Sequence, residues 1–176
     1  TSYLHNYSNT GTGTIISPFS SLMERLDLTS SEVKTLLGFS EGVSTSLGDV
    51  STFNPWADSS ISAGAELTAV KVMYQIDAML QAVNAIALNA GKSATEAVDA
   101  AYAAFESAAD ESATTVVANA SSFARSVVGE FFAANAEIKG VVPDANETKI
   151  TNAVAELVSD LGSLELASGT ISDATS

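Results

Sequence analysis

The stretch from residue 61 to 90 constrains the fold of this chain more than any other. It contains no proline, and Leu67, Val70, Met73, Ile76, Leu80, Val83 and Ile86 recur every three or four residues. That spacing is the helical period. Val72, Met79 and Leu88 place further apolar groups on the other side. A helix that is apolar most of the way round must be covered by neighbours. The expectation is therefore an all-α fold, a bundle of about six helices around a long central helix at 61–90.

Composition agrees with close-packed helices. Hydrophobic residues make up 46% of the 176 residues but aromatics only 7%, so alanine carries much of the apolar count. Alanine is the best helix former and lets helices approach closely. One domain is the natural expectation at this length. The chain carries 21 acidic against 7 basic residues, a net charge of −14. Such a chain repels phosphate backbones and anionic membrane surfaces, which argues against nucleic-acid binding. No cysteine is present, which removes disulfide and thiolate chemistry. Lys71, Gln75, Asp77, Gln81, Asn84 and Asn89 interrupt the long apolar stretch, so no transmembrane segment is expected.

Taken in order, residues 1–16 read as an extended arm or linker, rich in glycine and threonine and holding the only histidine, His5. The chain begins at Thr1, read as a processed chain or a segment of a longer one. Residues 17–164 read as the helical bundle. Ser17-Pro18 opens a short helix. Thr29 with Glu32, and Ser93 with Glu96, have capping-box spacing. Gly38 is a helix stop. Residues 39–60 read as a loop pinned by Phe53 and Trp56. Val116, Ala120, Phe123, Val127, Phe131, Ala134 and Ile138 give a later helix with a narrow apolar seam, in which Gly129 would allow a close helix crossing. Ile150, Val154, Leu157, Leu161 and Leu164 make the stripe of the last helix, capped by Asp144 or Asn146. Residues 165–176 read as a tail or linker.

Little of this points to chemistry. His5 lies in the arm, no G-x-S-x-G elbow or phosphate loop occurs, and Gly11-Thr-Gly13 lacks a strand–turn–helix context. The helix acids Glu96, Asp99 and Glu106 are spaced for a solvated face. No cofactor is expected, with calcium the only metal the composition supports, because it takes oxygen ligands. Its candidate ligands are Asp49 and Asn54 in one loop, and Asp144 and Glu147 in another. Asn6, Asn119 and Asn146 open Asn-x-Ser/Thr triplets that fit N-glycosylation. Asp77, if buried, requires a partner from another helix.

From Ser17-Pro-Phe-Ser-Ser-Leu22 the chain resembles the Ser/Thr-Pro-Leu-Thr-Thr-Leu opening of an alanine-rich helical module. That module occurs in very large secreted or surface proteins of marine microbes, among immunoglobulin-like and calcium-binding repeats. The resemblance continues through Leu36-Leu-Gly-Phe39 and Asp49-Val-Ser-Thr-Phe-Asn-Pro55, where the module tends to read Asp-Val-x-Thr-Tyr-Asp-Pro. It reaches Val70-Lys-Val-Met73. Asn54 stands where the module commonly has Asp. The resemblance implies a non-enzymatic structural or adhesive module of an extracellular, cell-surface or filament protein, whose partners are neighbouring copies, domains or other proteins. It carries over no catalytic residue. The alternatives are a soluble peripheral scaffold subunit of a larger, membrane-attached complex, and a calcium- or small-ligand-binding module with a polar cavity beside Asp77.

Overall fold

A computed structural model describes residues 17–53, 63–140 and 142–163. The arm 1–16, the tail 165–176, Asn6, Asn54 and Trp56 lie outside the described residues. The described chain is helical, without strands: α1 (Pro18–Arg25), α2 (Ser30–Leu37), α3 (Glu41–Leu47), α4 (Ala63–Asn89), α5 (Ala94–Glu111), α6 (Val116–Ala134), α7 (Ala136–Lys139) and α8 (Asp144–Ser163). The longest, α4, touches α1, α3, α5, α6 and α8, while α6 packs against α4, α5 and α8.

The helix starts follow from local hydrogen bonding. Ser17 accepts from the Ser20 amide at 3.2 Å, and Ser20 Oγ accepts from the Ser17 amide at 2.9 Å. The boxes expected at Thr29–Glu32 and Ser93–Glu96 both form. Each satisfies amides that the first helical turn leaves without an intrahelical acceptor.

Eight helices, rather than about six, occur among the described residues. One addition, α3, lies within the expected loop 39–60. Ser40 caps it, and Gly48 ends it in a backbone conformation with φ +60°. With seven residues and Gly42 inside, α3 is too short to carry a visible period. The other addition comes from Asn135, which interrupts the expected late helix. Its side-chain amide donates to the Phe131 carbonyl at 2.7 Å, ending α6 before α7 begins. That carbonyl also accepts the Asn135 backbone amide at 3.1 Å, and the side-chain bond gives the buried asparagine a partner.

The faces differ from expectation in three places. On α6 the buried face is broad rather than a narrow seam: Ala124, Val128 and Phe132 are buried beside Phe123, Val127 and Phe131, while Ala134 is exposed. The helix therefore serves several neighbours at once. On α8 the buried positions are Val154, Ala155 and Val158, and Leu157 is half-exposed. On α4, Val72 and Met79 are buried as expected but Leu88 is 43% exposed near the helix end. Phe53 is buried and packs with Phe19, ring centres 5.9 Å apart, and Phe19 meets Phe39 edge-on at the same separation.

Asp77 is half-buried, and its carboxylate accepts from Gln81 one turn on in its own helix. On the same helix Gln75, two residues earlier, bridges to α8. Its buried amide donates to the Val158 carbonyl of α8 at 3.1 Å. Gly162 makes room for it, since a Cβ there would stand 2.6 Å from Gln75 Nε2. At the start of α8 the cap position is taken by Pro143, whose carbonyl accepts from Glu147, so Asp144 and Asn146 lie inside the first turn.

Two glycines differ sharply. Gly38 closes α2 with φ +84°, and a Cβ there would lie 2.0 Å from Thr115 Oγ1, the cap of α6. Gly129, expected at a close crossing, is exposed, and a Cβ there meets nothing within 4 Å. Gly38→Ala is expected to cost roughly 2 kcal/mol or more, from left-handed strain plus the clash with Thr115. Gly129→Ala is expected to stabilise by about 0.5–1 kcal/mol, because alanine restricts the unfolded chain and has open space. Thermal unfolding followed by circular dichroism reads both, and equal midpoints for the two variants would contradict the assignment.

Candidate functional site

Two of the candidate calcium ligands, Asp49 and Glu147, are engaged by local structure. Asp49 Oδ1 accepts from the Ser51 amide at 2.9 Å, forming a tight turn after α3. That bond, opposed by burial and helped by Ser30 and the Lys34 charge, holds its carboxyl below the usual aspartate range. Lys34 fastens the same corner, donating to the Ser44 and Gly48 carbonyls at 3.2 and 2.8 Å. Asp144 is exposed at the start of α8, and Glu147 pairs with Lys139 at 3.6 Å. Among the described residues no three acidic or histidine side chains gather where they could hold a metal ion.

Asn119 has a structural task. It breaks the helical backbone within α6, at φ −160° and ψ 85°, and its Oδ1 accepts from the Ser122 amide at 2.9 Å. It thereby caps the longer part of α6. Asn146 is exposed in the first turn of α8.

A polar cluster that sequence pattern did not single out joins α1 to α5. Arg25 pairs with Asp99 at 2.9 Å and lies 5.6 Å from the centre of the Tyr102 ring. Burial pushes the Tyr102 phenol above its ordinary range, partly offset by Ser21 and Arg25. The Ser21 side chain beside it is buried. A pair 74 positions apart in sequence leaves no trace in helical periodicity. The arrangement ties α1 to α5.

Among the described residues a groove of about 290 Å³ lies between α4, the start of α6 and the end of α8. Val72 and Val116 form its apolar floor, and both are buried. Lys71, Gln75, Asn119, Ser121 and Ser159 are its main polar groups. A polar cavity was expected beside Asp77, but Asp77 does not line this groove, whose α4 lining runs from Thr68 to Gln75. The kink at Asn119, invisible to helical periodicity, shapes its wall.

No family model, no curated protein and no solved structure matches the chain. Among the described residues no helix is long and apolar enough to cross a membrane.

The capping carboxylates set a pH dependence. Glu32 accepts from the Thr29 hydroxyl and amide at 2.6 and 2.7 Å, and these bonds hold its carboxyl below the ordinary value of 4.5. Glu96 is lowered in the same way by the Ser93 hydroxyl and amide. A lowered folded-state pKa stabilises fully above the unfolded value and loses that contribution as pH falls through the folded one. Glu32→Gln and Glu96→Gln are therefore expected to lower the unfolding midpoint at neutral pH. The gap to the unaltered chain should narrow as pH drops below 4.5. Denaturant melts across that range check this, and a gap that stays constant would rule out the ionised caps as its source.

Proposed function

We propose that this chain is a non-enzymatic structural module of an extracellular surface, adhesive or filament protein, organised around α4 and acting through contacts with neighbouring domains, copies or other proteins. The observation that carries this reading is the use made of the segments on which the family resemblance rests. Ser17 caps α1, Gly38 closes α2, and Asp49 ties its turn. Phe19, Phe39 and Phe53, one from each of three such segments, pack together in one corner of the core. Val50, beside Asp49, is buried, and its amide donates to Ser30 Oγ at 3.0 Å. Residues that recur in an order because they cap, turn and pack support a module selected for its fold. The acidic exterior suits a chain that must remain dispersed in salt-rich surroundings.

The scaffold-subunit alternative requires a contiguous apolar surface of a few hundred Å². The exposed large apolar residues among those described are Tyr74, Leu88, Val117 and Leu157, on three different helices. The calcium alternative requires carboxylates free to coordinate, and Asp49 and Glu147 are engaged with Ser51 and Lys139.

Light scattering on a sizing column, in calcium and then in chelator, tests the reading. The expected result is a stable monomer of unchanged unfolding midpoint in both. Self-association would instead favour the scaffold subunit. Loss of the compact species in chelator alone would favour the calcium-binding module.

A further inference from the structure

The groove between α4, α6 and α8 differs chemically from the rest of this acidic molecule. The chain has 21 acidic residues, yet no described acid lines the groove, whereas Lys71 does. Most of the other cations are engaged. Arg25, Lys92 and Lys139 pair with Asp99, Glu137 and Glu147, Lys34 is held by carbonyls, and Arg125 donates to Asn152. Lys71 is half-buried and has no ion pair among the described residues. An ammonium beside a groove that no described acid lines attracts a small anion.

The groups around it are donors. Ser121 and Ser159 present hydroxyls. Asn119 spends its oxygen on the Ser122 amide, which leaves its NH₂ as the free half. Gln75, 93% buried from its 7% exposure, is already fixed through its own NH₂ on the Val158 carbonyl. The opposite side is apolar, with Val72 and Val116 as floor and Val117, 40% exposed, as rim.

We propose that this groove binds a small organic monocarboxylate with a short apolar body. Its charge would sit on Lys71, helped by Ser121, Ser159 and the Asn119 amide, and its body would lie on the three valines. A single charge is specified because one cation faces the groove and the net charge of −14 repels polyanions. The volume of about 290 Å³ is at the lower end for ligand pockets, which limits the body to a few carbons.

Backbone-amide NMR of the full chain, titrated with hexanoate and separately with hexanamide, tests this. Hexanoate is expected to shift Lys71 and Val117–Ser121 resonances saturably in the millimolar range, with hexanamide about tenfold weaker. Lys71→Met should weaken hexanoate about tenfold and leave hexanamide unchanged. Ser121→Asp, which places a carboxylate at the rim, should abolish hexanoate binding and serves if the lysine variant fails to fold. Absence of saturable shifts in these residues, equal response to both probes, or unchanged hexanoate binding in either folded variant would overturn the proposal.

Discussion

Close helix approach is the constraint on which this structure depends. An alanine-rich interface brings backbones near one another but buries little area per side chain. Ala69, Ala87, Ala97, Ala101, Ala104, Ala108, Ala124 and Ala155 are all buried. The stabilising volume must then come from a few large residues set into the remaining gaps. The seven phenylalanines supply it: six are fully buried and Phe39 is 9% exposed. Phe105 of α5 meets Phe123 of α6 with ring centres 5.1 Å apart, in the edge-on geometry that aromatic rings prefer. At two positions glycine leaves room that a Cβ would fill. Gly162 admits the Gln75 side chain, and Gly38 admits Thr115.

This division of labour explains what was legible in the sequence. Helix starts were, because a cap is chemistry within four residues: Thr29 with Glu32 and Ser93 with Glu96 needed no knowledge of the rest of the fold. The course of α4 was legible for a related reason, since a long period averages over local exceptions. Which side of a helix faces inward was less so. On α8, Leu157 is the more hydrophobic residue, yet Val158 and Ala155 are buried, because small residues allow the approach to α4 that Gln75 then bridges. On α6 a seam was expected, but α4, α5 and α8 all press on that helix and bury a wider arc. Hydrophobicity ranks the candidates; the number of neighbours decides among them.

The candidate sites divide along the same line. Asp49, Asp144 and Glu147 attracted notice because oxygen-rich loops are what calcium takes, but short acidic loops are also what turns and helix starts take. Asp49 is tied to its own turn and Glu147 to Lys139. The Arg25–Asp99–Tyr102 cluster and the groove rest on pairings between distant segments, for which a single sequence holds no signal. Asn119 could be noticed as the opening of an Asn-Ala-Ser triplet, but its service as a helix cap shows only in the backbone.

Local regularity and functional chemistry are in opposition here. Nearly every described polar side chain with a clear role caps a helix, closes a turn or ties two helices. Such groups are already spent on the fold and have nothing left to offer a ligand. The exception arises where helical order fails. The break at Asn119 turns the first residues of α6 aside, so that Val117 stands half-exposed and Ser121 faces the same space as Lys71. Consistency between local and global preference is what makes a chain fold, and departures from it concentrate where something other than stability is served. In this chain that departure coincides with Lys71, a half-buried cation with no ion pair among the described residues. The groove, rather than the acidic loops, is therefore where polar groups remain for a ligand.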